Sequence, residues 1–293
     1  MSAASEKRSR LRAHLEGGKL IVAPGVFDMI SARIADGQGF DALYMTGYGI
    51  SASYLGLPDA GFATLTDMAA CARRIAEGTE TPLIADADNG YGGPLNVQHT
   101  IRSYEAAGVA AVQIEDQEFP KKCGHTLGRK VIPLADMVTK IKVAVDSRDD
   151  PNLLIVARTD ARTSLGLDEA LRRAEAFEAA GADVLFVESP ESEAEMERIG
   201  RSTDRPLLAN IVEGGRTPAL PAERLREIGY RIAIYPATGF LAAGAALASI
   251  YRTLKQTGSS DAVETPLTDF EAFNRVVGFE KVWAFDEKWG ADD

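Results

Sequence analysis

The chain is short of cysteine, histidine and positive charge. Two cysteines, Cys71 and Cys123, in 293 residues cannot build a disulfide framework. Three histidines, His14, His99 and His125, none beside a second soft ligand, argue against a zinc site. No apolar run reaches the roughly 18 residues that suggest a membrane span, and the opening MSAASEKRSRLRAHLEGG lacks the apolar centre of a signal peptide. The expectation is a cytoplasmic protein with reduced thiols. A net charge of -11 opposes nonspecific binding to nucleic acid or anionic membrane. Any anionic ligand must therefore be held by local positive charge or by metal.

What is present is a large apolar fraction, 45%, in a chain long enough for one core. We expect one domain over 1–293, with a barrel over about 18–256 and a helical extension over about 266–288. Short apolar runs at 20–23, 42–45, 83–85, 110–114, 153–157, 184–187, 207–209 and 232–235 alternate with helical patterns. In the segment 167–180 apolar residues recur at helical spacing, and Gly181 marks the stop. Eight repeats of helix, glycine and short strand predict an α/β fold, a TIM (β/α)8 barrel of parallel strands. A doubly wound open sheet is the alternative. Polar residues cluster directly after the runs, where a barrel has its C-terminal mouth: Thr46, Asp86, Asp88, Glu115, Asp116, Arg158, Asp160, Glu188 and Asn210, with Pro236 after the last. Turn and cap residues would be Asp, Asn and Ser, and would not readily include Arg158 and Glu188 at buried strand ends, where an unpaired charge is costly. An alanine-rich helix over 238–255, the linker QTGSSDAVETP and an aromatic amphipathic tail follow, needing either their own barrel or a neighbouring subunit as partner.

Asp86-Ala-Asp88, in PLIADADNGYGG, puts two carboxylates at a strand end before a glycine-rich turn. Hard oxygen donors of this kind suit Mg²⁺, which keeps waters for substrate oxygens to replace. Turn-forming aspartates give the same local pattern, but Glu115 and Asp116 on the next strand favour the metal. Cys123 sits among Lys121, Lys122, His125, Arg129 and Lys130. Cations around a thiol favour its thiolate and make it a nucleophile or a ready proton donor. No positioned base with an orienting third residue is evident, which favours proton donation over nucleophilic attack. A solvated basic loop with an incidental cysteine remains open from composition alone.

The run KKCGH at 121–125, preceded by IEDQ and followed by GRKVIP, resembles the signature loop of the isocitrate lyase and phosphoenolpyruvate mutase superfamily. Supporting matches are LYMTGYGISASYLGLPD at 43–59, IADADNGYGG at 84–93, ARTDA at 157–161, FVESP at 186–190 and ANIVEGGRTP at 209–218. The resemblance implies a TIM barrel, an essential Mg²⁺ for which Mn²⁺ can substitute, a mobile loop carrying the cysteine, and a homotetramer in which the last barrel helix swaps between subunits. It also implies cleavage of a carbon–carbon bond in a small 2-hydroxy dicarboxylate. By motif, Asp86 and Asp88 would hold the metal, with Asp59 and Glu115 reached through water. Thr46, Gly47 and Tyr48 would bind a carboxylate with Arg158. Tyr44 would take the hydroxyl proton, Cys123 would be the acid, and Lys121 and His125 would stabilise charge. Gly124, Glu188, Asn210, Pro236 and Leu241 would complete the substrate site.

Within that superfamily, the methylisocitrate branch typically has an arginine five residues beyond the strand-eight proline, where this chain has Leu241, and no basic residue falls within 256–274. EDQEFPKKCGH and NIVEGGRTP are similar to the subgroup containing 2,3-dimethylmalate lyase and the petal death protein. The implied activity is cleavage of 2,3-dimethylmalate or another alkylmalate to pyruvate or another 2-keto acid plus a short acid. The alternatives are a methylisocitrate lyase, or an oxaloacetate hydrolase or decarboxylase, whose relatives tend to carry serine at Pro236. A phosphonomutase and a non-catalytic binding barrel are more remote.

Overall fold

The computed structural model describes residues 2–124, 126 and 128–290. Eight parallel strands close into a barrel in sequence order: β1 Ile21–Val26, β2 Leu43–Met45, β3 Leu83–Asp86, β4 Ala111–Glu115, β5 Leu154–Thr159, β6 Val184–Val187, β7 Leu207–Asn210 and β8 Tyr230–Tyr235, with β8 pairing back onto β1. Each apolar run of the sequence is a strand. Several strands run further than their apolar residues, however. Asp86, Glu115, Arg158 and Asn210 are ladder residues and not the first residues of the following loops. Glu115 pairs in register with Arg158, and Asp86 with Gln113. The charged residues can stay in the strands because the barrel interior gives them one another as partners.

Two apolar layers build the core. The larger lies between strands and outer helices, with Val112, Ile114, Ile155 and Leu185 packed against helix residues such as Ile101, Ile141 and Phe177. The smaller fills the barrel interior with Ile21, Ile84, Leu154, Val184, Leu208 and Ile232. A helix not foreseen in the sequence, Ala3–Glu16, completes that inner layer with Leu11 and Leu15. Its buried cations hold backbone carbonyls of the helix Leu65–Gly78 and of the turn before β4: Lys7 Nζ donates to Ala76 O at 2.8 Å and Arg8 Nε to Val109 O at 3.0 Å. The helix Thr238–Thr257 follows β8, and Phe270–Val277 and Phe279–Trp289 form the tail. None of these three helices has a buried residue. Among the described residues no helix is long and apolar enough to cross a membrane.

Candidate active site

A cavity of about 280 Å³ opens at the C-terminal ends of the strands, lined by Tyr44, Thr46, Asp59, Asp86, Glu115, Lys121, Cys123, Arg158 and Asn210 on its polar side. Val212, Ile234, Pro236, Ala237, Phe240 and Leu241 line its apolar side. Pockets for drug-sized molecules measure about 300–1,000 Å³, so this one suits a small acid.

Local geometry explains the sequence around it. Thr46 caps the short helix Gly47–Ile50 by accepting from Gly49 N at 3.3 Å. A Cβ on Gly47 would lie 2.6 Å from Asp86 Oδ2, so that turn can touch the carboxylate only as glycine. Asp88 adopts a left-handed backbone, φ 48°, and its N–H donates to Asp86 Oδ1 at 3.0 Å. This strained turn folds the second carboxylate back beside the first. Gln113 lies two residues before Glu115, hence on the same strand face. It accepts from the Tyr44 hydroxyl at 3.0 Å and donates to Asp86 at 3.3 Å.

The cysteine loop lies over this floor. Lys121 Nζ stands 2.5 Å from Asp59 and 2.6 Å from Asp88. Cys123 N donates to Asp59 O at 3.2 Å, and Ser189 Oγ donates to Gly124 O at 3.1 Å. A Cβ on Gly124 would meet Glu188 Oε2 at 2.7 Å, so the loop reaches Glu188 and Arg158 because residue 124 has no side chain. Gln117 sets the loop's entry, accepting from Lys122 N at 3.0 Å and donating to Glu115 at 2.8 Å. Cys123 is half-buried. His125 lies outside the described residues.

Charge is concentrated here. Arg158 reaches Glu115 and Glu188 at 3.3 Å each and Asp160 at 2.9 Å, and its guanidinium sits 5.0 Å from the centre of the Phe186 ring. Burial disfavours that cation, but Asp160, Glu115 and Glu188 more than offset it and hold Arg158 charged. Burial works against Lys121 too, and Asp88 and Asp59 overcome it. Burial pushes Asp88 up to about 7, opposed by Lys121 and reinforced by Asp86 and Asp59. Glu115 is raised well above the usual carboxylate range, by burial first. Tyr44 is raised in the same way, with the Asp86 charge adding to burial. Among the described residues Asp59 and Asp88 thus share Lys121, and Glu115 pairs with Arg158. Among the described residues no three acidic, His or Cys side chains converge into a ready-made cage. Two adjoining carboxylates, Asp86 and Asp88, fit a hard divalent cation that keeps most of its waters.

The structure therefore gathers Tyr44, Thr46, Asp59, Asp86, Glu115, Lys121, Cys123, Arg158, Asn210, Pro236 and Leu241 around one cavity, with Tyr48 and Gly124 also in its wall. Gly47, Asp88 and Glu188 stand directly behind it, Glu188 accepting from Asn210 Nδ2 at 3.0 Å. Sequence reasoning missed Gln113, although a glutamine on an otherwise apolar strand face was a usable signal. It also missed Phe240, whose ring lies 5.1 Å from Tyr48 and 6.3 Å from Phe27 and ties the last helix to the Thr46 turn. No local pattern marked Phe240.

A family model described as phosphoenolpyruvate phosphomutase matches residues 11–255. The chain is 48% identical to the 2,3-dimethylmalate lyase of Eubacterium barkeri over 274 residues, 94% of this chain and 95% of that protein. It is 41% identical over 269 residues to a 2-methylisocitrate lyase of Aeropyrum pernix, 92% of this chain and 86% of that one. Among solved structures, an oxaloacetate acetylhydrolase in complex with the inhibitor 3,3-difluorooxalacetate matches with TM-score 0.92 and 37% identity, covering 98% of each chain.

Proposed function

The chain belongs to the phosphoenolpyruvate mutase/isocitrate lyase superfamily, and from that premise we infer that it is a carbon–carbon lyase for 2,3-dimethylmalate or another small alkylmalate. The products are pyruvate or another 2-keto acid and a short carboxylic acid. The observation that carries this reading is the two-sided cavity, with carboxylates, Arg158 and the Cys123 loop on one side and the apolar wall of Val212, Ile234, Pro236, Ala237, Phe240 and Leu241 on the other. A divalent cation, Mg²⁺ or Mn²⁺, held by Asp86 and Asp88 with Asp59 and Glu115 reached through water, would polarise the substrate's 2-oxygen and adjacent carboxylate. Arg158 and the Thr46-Gly47-Tyr48 turn bind a carboxylate. Tyr44 takes the hydroxyl proton, which requires added positive charge because burial and Asp86 hold its phenol protonated. The C2–C3 bond then breaks, its electron pair passing to the carbon beside the departing carboxylate. Lys121, Arg158 and His125 stabilise that charge, and Cys123 delivers a proton to the carbon. Loop contacts at Asp59 and Ser189 keep bulk water away from the basic intermediate.

Hydrolysis of oxaloacetate is the second reading, because of the likeness to an acetylhydrolase. It needs a placed water, and Pro236, which lines the cavity, offers neither a hydroxyl nor an N–H to hold one. A homotetramer with exchanged last helices belongs to the same proposal, supported by exposed Leu247, Tyr251, Trp283, Phe285 and Trp289 on helices that bury nothing. So does a cytoplasmic setting, since a thiol acid works where thiols stay reduced. The test is metal-dependent release of pyruvate and propionate from 2,3-dimethylmalate, followed by proton NMR. Turnover of oxaloacetate to oxalate and acetate, with every alkylmalate inert, would overturn it.

A further inference from the structure

Behind Arg158 lies a buried ion network whose other members the chemistry above leaves idle. Arg173 Nη1 donates to Asp116 Oδ2 at 2.9 Å, and Asp116 also accepts from Thr159 Oγ1 at 2.7 Å and Asp160 N at 2.9 Å. The Asp160 carboxylate, fixed in this way, takes Nε and Nη2 of Arg158 at 2.9 Å each. Its Oδ1, already shared with Arg158, also accepts from Arg129 Nη1. Arg129 donates in addition through Nη2 to Thr163 Oγ1 at 2.7 Å and through Nε to Thr126 O at 3.2 Å. It belongs to the loop that carries Cys123, yet its side chain is 1% exposed.

We propose that Arg129 is a positioning residue that fastens the Cys123 loop to the barrel and, through the Asp160 carboxylate it shares, sets the orientation and free positive charge of Arg158. Asp160 is the nearest of three carboxylates around Arg158 and the one that Arg129 shares, so what Arg129 draws from it is not spent on Arg158. With Arg129 engaged, Arg158 keeps more of its charge for a bound carboxylate. The coupling runs equally in reverse: a ligand carboxylate on Arg158 frees Asp160 for Arg129, so binding tightens the loop. Charge-assisted, forked contacts in a dry site are strong enough for either effect to be tenfold or more, as an order of magnitude. Only the ligand half of this rests on the dicarboxylate reading of the pocket.

The test uses the full chain, with Arg129→Met and Arg129→Lys. Iodoacetamide labelling of Cys123 and Cys71 is followed by peptide mass analysis. Without metal or ligand, Arg129→Met should label Cys123 about tenfold or more faster than wild type while Cys71, on the helix Leu65–Gly78, is unchanged. Losing a cation lowers the thiolate share, so a faster rate reports access. Arg129→Lys should fall between, because an ammonium keeps the charge but not the fork that spans Asp160 and Thr163. With Mg²⁺ and oxalate as a non-reacting dianion, the oxalate concentration that half-protects Cys123 should rise about tenfold in Arg129→Met. Equal Cys123 rates in wild type and both variants would overturn the fastening role, as would a matching rise at Cys71, which reports general loosening. A faster Cys123 with an unmoved oxalate midpoint would overturn the link to Arg158. If oxalate protects not even the wild type, the dicarboxylate reading of the pocket fails, while the ligand-free comparison still judges the fastening role.

Discussion

The apolar wall of the cavity should make this enzyme reject a third carboxylate. Val212, Ile234, Pro236, Ala237, Phe240 and Leu241 face that end, and Glu213, which follows Val212 in the lining, is acidic and accepts a hydrogen bond from Thr238. A substituent carboxylate placed against this wall loses water and gains no partner, costing about 3 kcal/mol after partial solvation, or a factor of roughly 150 in kcat/KM. A methyl in the same place gains up to about 0.8 kcal/mol, near fourfold. Leu241 is 48% exposed in the single chain, so its own share is about half that gain unless a neighbouring subunit covers it. Malate, 2,3-dimethylmalate and methylisocitrate can be compared directly in a coupled assay for the 2-keto acid. The expected order is 2,3-dimethylmalate well above malate, with methylisocitrate about two orders below the first. Leu241→Arg should narrow the last gap by about tenfold. Faster cleavage of methylisocitrate by the wild type, or no effect of the methyl groups, would refute the reasoning.

Cys123→Ser should keep KM within about twofold but lose two to four orders of magnitude in kcat, roughly the loss for removing a general acid; a fully active serine variant would overturn the proton-donor assignment. Removal of divalent metal by EDTA should abolish turnover and Mg²⁺ or Mn²⁺ restore it, whereas Asp86→Ala should stay inactive at any metal concentration near physiological. Light scattering at micromolar protein should give the mass of four chains, and a monomer would contradict the proposed exchange of the exposed last helices. Tyr230 is 2% exposed, and its hydroxyl has no hydrogen-bond partner among the described residues. Tyr230→Phe should therefore leave stability unchanged or raise it by about 1 kcal/mol in urea unfolding. A loss of that size would show that the hydroxyl has a partner.

Strands and mouth residues were legible because both signals are local. Buried parallel strands read as apolar runs, and a charge ending such a run, as at Glu115, Arg158 and Glu188, has few structural excuses. Where the strands end was less legible. Asp86 and Arg158 pair within the ladder, and hydrophobicity cannot register a strand that continues through a charge satisfied by its neighbour. The first helix was invisible for a related reason: its buried side includes Lys7 and Arg8, so its apolar stripe shrinks to Leu11 and Leu15. The Arg129–Asp160 pair joins residues on separate loops, and no spacing rule connects them. Phe240 acts through Tyr48 and Phe27, contacts that exist only once the barrel has closed.

That first helix also has a consequence for traffic. With Leu11 and Leu15 sealing the inner layer and Ile84, Val184 and Ile232 filling the space above them, the barrel is a blind shaft. On the lyase reading one molecule enters and two leave, through the mouth at the C-terminal strand ends beside the Cys123 loop. The fragment nearer the doorway has to depart first, so release is ordered by position and not by affinity alone. If release needs the loop to open, kcat should fall as solvent viscosity rises even where the bond-breaking step is unaffected.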